Sequence, residues 1–137
     1  MTEDTIHAST VAIRGRGVMI LGPSGAGKSD LALRLLDRGA QLVADDRTIL
    51  TRDGDALVAS CPATIAGRIE VRGIGIVAHA HRESARVALA VTLGEEERLP
   101  EPHARSFAGI SVPAVTIDPR PASAAIKVEL ALAGVAA

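Results

Sequence analysis

A mixed β-sheet carrying one helix directly after a glycine-rich loop and a second helix at the C-terminus, all within one α/β domain spanning residues 1–137, is the fold the sequence predicts. Three observations predict it. The run Gly22-Pro23-Ser24-Gly25-Ala26-Gly27-Lys28-Ser29 stands between an apolar strand pattern and a leucine-rich helix pattern. Short apolar runs punctuated by glycine turns recur on both sides of it. The last residues, 122–136, are rich in Ala and Leu with Lys127 and Glu129 among them, which favours a terminal helix.

Taken in order, Thr10 to Ile13 and Val18 to Leu21 read as strands joined through Gly15-Arg16-Gly17. Leu31, Leu33, Leu35 and Leu36 among Asp30, Arg34, Asp37 and Arg38 predict a helix of about three turns, closed by Gly39. Gln41 to Ala44 reads as a strand ending in Asp45-Asp46. Thr48 to Thr51 and Ala56 to Ser60 flank the turn Arg52-Asp53-Gly54-Asp55 as a hairpin. Residues 61–77, with glycines at 73 and 75, read as an exposed mobile loop, and Ala85 to Thr92 as a strand. Residues 94–112, with Glu95-Glu96-Glu97-Arg98, Pro100 and Pro102, read as a solvated connection to a last strand at Val115 to Ile117.

Composition narrows the function classes. Hydrophobic residues make up 47% of the chain and charged residues 23%, which is globular composition. Phe107 is the sole aromatic residue and the formal net charge is −1, so neither a stacking platform nor a positive field for nucleic acid is present. The longest apolar stretches fall well short of the roughly 20 residues of a membrane span. The start MTEDTIHAST lacks the basic, then apolar, pattern of a secretory leader, and the single Cys61 cannot form an intrachain disulfide. A cytoplasmic protein is the expectation.

The eight residues 22–29 fit G-x-x-x-x-G-K-[ST], the P-loop, in its required strand and helix context. Gly22, Pro23, Ser24, Gly25, Ala26 and Gly27 let the backbone fold into a nest of N–H donors, and the following helix adds the positive end of its dipole. Lys28 reaches β- and γ-phosphates, and the Ser29 hydroxyl is placed for Mg2+. Asp45 and Asp46 bring carboxylates from the next strand end, one to hold magnesium through water and one to accept a proton. Glu70, between Ile69 and Val71 and followed by Arg72-Gly73-Ile74-Gly75, is a candidate metal ligand, with Arg72 a candidate phosphate contact. His79, His81 and His103 show no metal-ligand spacing.

His7, the P-loop, Leu42-Val43-Ala44-Asp45-Asp46 and Ile69-Glu70-Val71-Arg72-Gly73-Ile74-Gly75-Ile76 together resemble the HPr kinase/phosphorylase family. Those enzymes phosphorylate a serine of the phosphocarrier protein HPr and can reverse the reaction. The resemblance implies the P-loop kinase-type fold of that family's catalytic domain, ATP or pyrophosphate as phosphoryl donor, Mg2+ as cofactor and HPr as partner. It casts His7 as the family's active-site histidine and Asp46 as the carboxylate that handles the serine proton. Lys28 becomes the phosphate-contacting lysine, Ser29 and Glu70 the magnesium ligands, and Arg72 part of the segment used in both directions; Asp45 is the companion acid.

The sequence departs from the family pattern where a Gly-Arg-Asn segment is usual. It reads Pro121-Ala122-Ser123-Ala124, with Arg120 nearby. The expectation is a catalytic part alone, without the family's additional N-terminal domain or long C-terminal helical extension, which leaves homo-oligomer formation and the reverse reaction open. A kinase of small hydroxylated metabolites and a non-catalytic nucleotide sensor are the alternatives that share the P-loop.

Overall fold

Two apolar runs near the N-terminus, buried on both faces, build a long hairpin in which β1 (Glu3–Ile13) pairs antiparallel with β2 (Arg16–Leu21). The computed structural model describes residues 3–136. The turn lies one residue earlier than the glycines suggest: Ile13 faces Arg16, and Arg14 (φ 52°) and Gly15 (φ 79°) are its two central residues. Positive φ at both positions is the hairpin geometry that matches strand twist. Gly17 belongs to the strand, because a Cβ there would meet the carbonyl oxygen of Arg86 at 2.8 Å.

After the P-loop, α1 (Lys28–Asp37) buries Leu31, Ala32, Leu35 and Leu36. It ends where Gly39 turns left-handed at φ 104°, with Gly39 N–H donating to Leu36 and Ala40 N–H to Leu35, the paired bonds of a Schellman stop. β3 (Gln41–Ala44), β4 (Arg47–Asp53) and β5 (Ala56–Ser60) follow; β3 and β5 have the bounds read from the sequence, while β4 takes in Arg52 and Asp53 and narrows the turn to Gly54 and Asp55.

Two segments differ from the sequence expectation. Residues 61–77 are not simply a loop, since β6 (Arg68–Val71) and β7 (Gly75–Ala78) form a separate antiparallel hairpin anchored by fully buried Ile69. Beyond β8 (Ser84–Leu93), the expected solvated connection contains β9 (His103–Phe107), and the last strand is longer, β10 (Ile110–Ile117). β9 is an edge strand whose residues 103–106 are exposed, so it lacks the alternation that betrays a half-buried strand, and Pro113 on the exposed face of β10 argues against a strand when read from sequence. The terminal helix α2 (Ala124–Ala133) is shorter than expected.

The larger sheet has eight strands, with parallel pairs β2–β8 and β8–β10 and all others antiparallel. Its pairings close on themselves: β1 joins β2 and β4, β4 joins β5, and β5 and β2 both join β8. One core, with Met19, Val43, Leu50 and Leu57, fills the inside of that ring. The other, with Val11, Ile20, Leu35, Val91 and Val128, lies between sheet and helices. Arg16 fixes α2 by donating to the terminal carbonyls of Leu132, Val135 and Ala136, and Arg38 pairs with Glu129 at 2.7 Å across the two helices. Among the described residues no helix is long and apolar enough to cross a membrane.

Candidate active site

The loop between β2 and α1 takes its shape from its glycines. Gly25 (φ 83°) and Gly27 (φ 106°) hold left-handed backbone, and a Cβ on Gly22 would press on Ala26 at 3.2 Å and Leu93 at 3.4 Å. The helix begins with Leu31 N–H bonded to the Gly27 carbonyl and has no side-chain cap. Its first N–H groups thus point out of the helix end as anion donors. Lys28 is buried, and its ammonium donates to the carbonyls of Gly22 (2.9 Å) and Pro23 (3.1 Å). Two of its three protons pin the loop, which leaves one to reach outward.

Asp45 is the hub behind the loop. It sits at the end of β3, 7% exposed, and its carboxylate accepts three hydrogen bonds. Oδ1 takes the hydroxyls of Ser29 (2.6 Å) and Ser9 (2.8 Å), and Oδ2 takes the backbone N–H of Glu70 (2.9 Å). One side chain therefore ties together the start of α1, the middle of β1 and the β6–β7 hairpin. Because Ser29 spends its proton on Asp45, its lone pairs remain for another partner.

Asp46 stands in the opposite condition. It is exposed, at φ 66°, and Arg47 N–H closes back on the Asp45 carbonyl at 2.7 Å, the rare strained form of a three-residue turn. Holding a non-glycine residue in such a sparsely populated conformation costs on the order of 1–3 kcal/mol. Bonds at both ends of Asp46 offset that cost: its N–H donates to Ser9 Oγ (3.1 Å) and its carbonyl accepts Ala8 N–H (3.1 Å).

Ser24, Gly25, Gly27, Lys28 and Ser29 share a cleft of about 700 Å³ with Asp46, Glu70 and the Arg72–Gly75 turn. Gly22, Pro23 and Ala26 complete the loop outside the lining, and Asp45 lies buried beneath it. His7 is exposed on β1 opposite Arg47, two residues before Ser9 and so on the same strand face, at the edge of the site and not in its lining. Arg120 is not part of the cleft lining. It pairs with Asp118 at 2.8 Å, and the hydrogen bonds from Arg120 hold the Asp118 carboxyl down at about 2. Its neighbour Pro119 nevertheless touches the loop, 3.6 Å from where a Gly27 Cβ would stand. Half-buried Cys61 has its thiol pushed up by burial and by the charge of Asp45.

Ser29 and Glu70 line the cleft and carry oxygen donors, the kind Mg2+ prefers, and Mg2+ commonly takes few protein ligands beside phosphate oxygens. Among the described residues no cluster of three His, Cys, Asp or Glu forms a self-sufficient metal cage. Ser9 is the site residue that sequence reasoning passed over. Its one signal is a pair of small hydroxyl residues, Ser9-Thr10, set between Ala8 and the apolar run Val11-Ala12-Ile13, both fully buried in the structure.

Comparison with known proteins gives this geometry a family. The family described as the HPr Serine kinase C-terminal domain matches residues 1–133. The HPr kinase/phosphorylase of Levilactobacillus brevis is 47% identical over 76 residues, 55% of this chain and 24% of that protein. That of Caldanaerobacter subterraneus subsp. tengcongensis is 40% identical over 143 aligned positions, 93% of this chain and 47% of that protein. At its fullest match the chain thus spans about half the length of these curated relatives. The solved Hpr(Ser) kinase/phosphatase from Coxiella burnetii superposes with a TM-score of 0.83 at 31% identity, covering 95% of this chain and 94% of that one. On the match over nearly all its length and the shared architecture, the chain belongs to the family of HPr serine kinase C-terminal domains.

Proposed function

We propose that residues 1–137 form one catalytic domain that transfers the γ-phosphoryl group of ATP, with Mg2+, to a serine hydroxyl of the phosphocarrier protein HPr in the cytoplasm. The observation that carries the reading is the convergence of Lys28, Ser29, Asp46, Glu70 and Arg72 on one cleft at the mouth of the P-loop. Phosphoryl transfer needs reactants held in line and charge neutralised, with one carboxylate to take the hydroxyl proton. The P-loop N–H groups and Lys28 hold the phosphates. Ser29 and Glu70 hold Mg2+, which shields the phosphate oxygens when bound. Asp46, exposed in the cleft, accepts the proton as the serine oxygen bonds to phosphorus and ADP leaves.

Arg72 contacts the transferring phosphoryl group from the hairpin turn, and His7 meets the substrate at the cleft edge. In reverse, inorganic phosphate attacks phosphoserine, pyrophosphate forms and Asp46 returns the proton to the serine oxygen; pyrophosphate then serves as donor in the forward direction. A protein acceptor suits this cleft better than a small metabolite, since Ile74 and Ile76 beside it are 79% and 73% exposed and enclose nothing.

The test is transfer of labelled γ-phosphate from ATP to HPr while Mg2+ is titrated. Wild-type protein labels HPr with saturable Mg2+ dependence, and Glu70→Gln raises the half-saturating Mg2+ concentration about tenfold. An identical Mg2+ curve for the variant removes Glu70 from the metal site, and absence of label removes the reaction.

A further inference from the structure

Ser9 joins the two acids. Its hydroxyl proton goes to Asp45 Oδ1 at 2.8 Å while its oxygen accepts the N–H of Asp46 at 3.1 Å, so a single atom touches the buried hub and the strained turn. The position allows no substitute donor or acceptor, because Ser9 is fully buried on β1 and water does not reach it. The surrounding strand is held in register to make this contact. Thr48 donates to the Ala8 carbonyl at 2.9 Å and in turn accepts from Thr10 at 2.8 Å, which locks residues 8–10 against the segment that follows Asp46.

We infer that Ser9 is a positioning residue for phosphoryl transfer: it holds Asp46 in its positive-φ turn facing the cleft, while Asp45 keeps its bonds to Ser29 and to the Glu70 N–H without it. The inference rests on the phosphoryl-transfer reading for its kinetic consequence, and on the hydrogen bonds alone for its geometric one. Ser9 itself touches no substrate. Its loss leaves Asp46 N–H without an acceptor and lets the turn sample extended backbone, in which the carboxylate no longer sits where the serine proton departs. Nucleotide binding depends on the P-loop and is spared.

Two measurements on Ser9→Ala and Ser9→Thr test this. Amide hydrogen exchange read by NMR reports the Asp46 N–H directly, and exchange speeds at least about tenfold in Ser9→Ala and stays near wild type in Ser9→Thr, which retains the hydroxyl. Steady-state transfer gives a kcat about tenfold lower in Ser9→Ala, with KM for Mg-ATP within about twofold, and Ser9→Thr restores kcat. Should Ser9→Ala not fold, Ser9→Thr against Ser9→Val makes the same comparison with matched shape.

Unchanged Asp46 protection in the variant lacking the hydroxyl overturns the inference, as does a loss carried by KM alone or one that Ser9→Thr fails to restore. If wild-type protein transfers no phosphate, the reaction is wrong while the exchange result still decides the role of Ser9 in the turn.

Discussion

Asp46→Asn lowers kcat for serine phosphorylation by about 10^2–10^4-fold, the range that a general base contributes, and leaves thermal stability within a few degrees of wild type. The two halves of this result belong together. Asn has nearly the shape of Asp, so it fits the positive-φ turn that Asp46 occupies at φ 66° with the same bulk. Its N–H still donates to Ser9 and its carbonyl still accepts Ala8 N–H, so nothing in the folded state is given up. What is lost is a carboxylate able to take a proton. Measuring kcat, KM and the melting temperature of the one variant separates chemistry from folding. A stable Asp46→Asn protein with wild-type kcat would remove Asp46 from the reaction.

Lys28→Met has an effect of similar size by a different route. The thioether matches the length of the lysine stem but carries no charge and no donor, so the phosphates lose their one buried cation in the loop. The carbonyls of Gly22 and Pro23 also lose the ammonium that draws the loop into shape. Removal of one preorganised donor from a site of this kind costs about 10^2–10^3-fold in kcat. Nucleotide affinity falls as well, because the same charge acts on the ground state. Titration calorimetry with Mg-ATP beside the transfer assay measures both. A Lys28→Met variant that binds and transfers like wild type would contradict the phosphate-site assignment.

The parts of this site that were legible in the sequence are those with a backbone reason. A phosphate nest needs Gly25 and Gly27 with positive φ, a lysine at its end and a hydroxyl one residue on, and that requirement writes itself into residues 22–29. The pair Asp45-Asp46 was legible as a strand end bearing charge, but the residues alone did not divide them, and only the family resemblance cast Asp46 as the acid that handles the proton. Asp45 is buried by partners 36, 16 and 25 residues away, Ser9, Ser29 and Glu70, and no local pattern encodes such contacts. Ser9 stayed silent for the same reason.

In the fold, α1 and its glycine stop followed from leucine spacing. The β9–β10 hairpin did not, since β9 is an exposed edge strand without a period-two signal and the proline at 113 reads as a strand breaker. The closure of the sheet depends on β2 lying beside β8, with Ile20 opposite Val91, a pairing that alternation within either strand cannot announce. Residue chemistry alone left a protein kinase, a small-molecule kinase and a sensor open. Resemblance in the motifs singled out the first, and the near full-length family match supports that choice.

The most direct test of the account incubates the purified chain with ATP, Mg2+ and HPr from the same genome, then locates phosphate on HPr by tandem mass spectrometry, with Asp46→Asn as the control. Phosphate on one serine, absent with the control, is the predicted result. Measurable nucleotide binding with no phosphoserine on HPr, or equal labelling by Asp46→Asn, would contradict it.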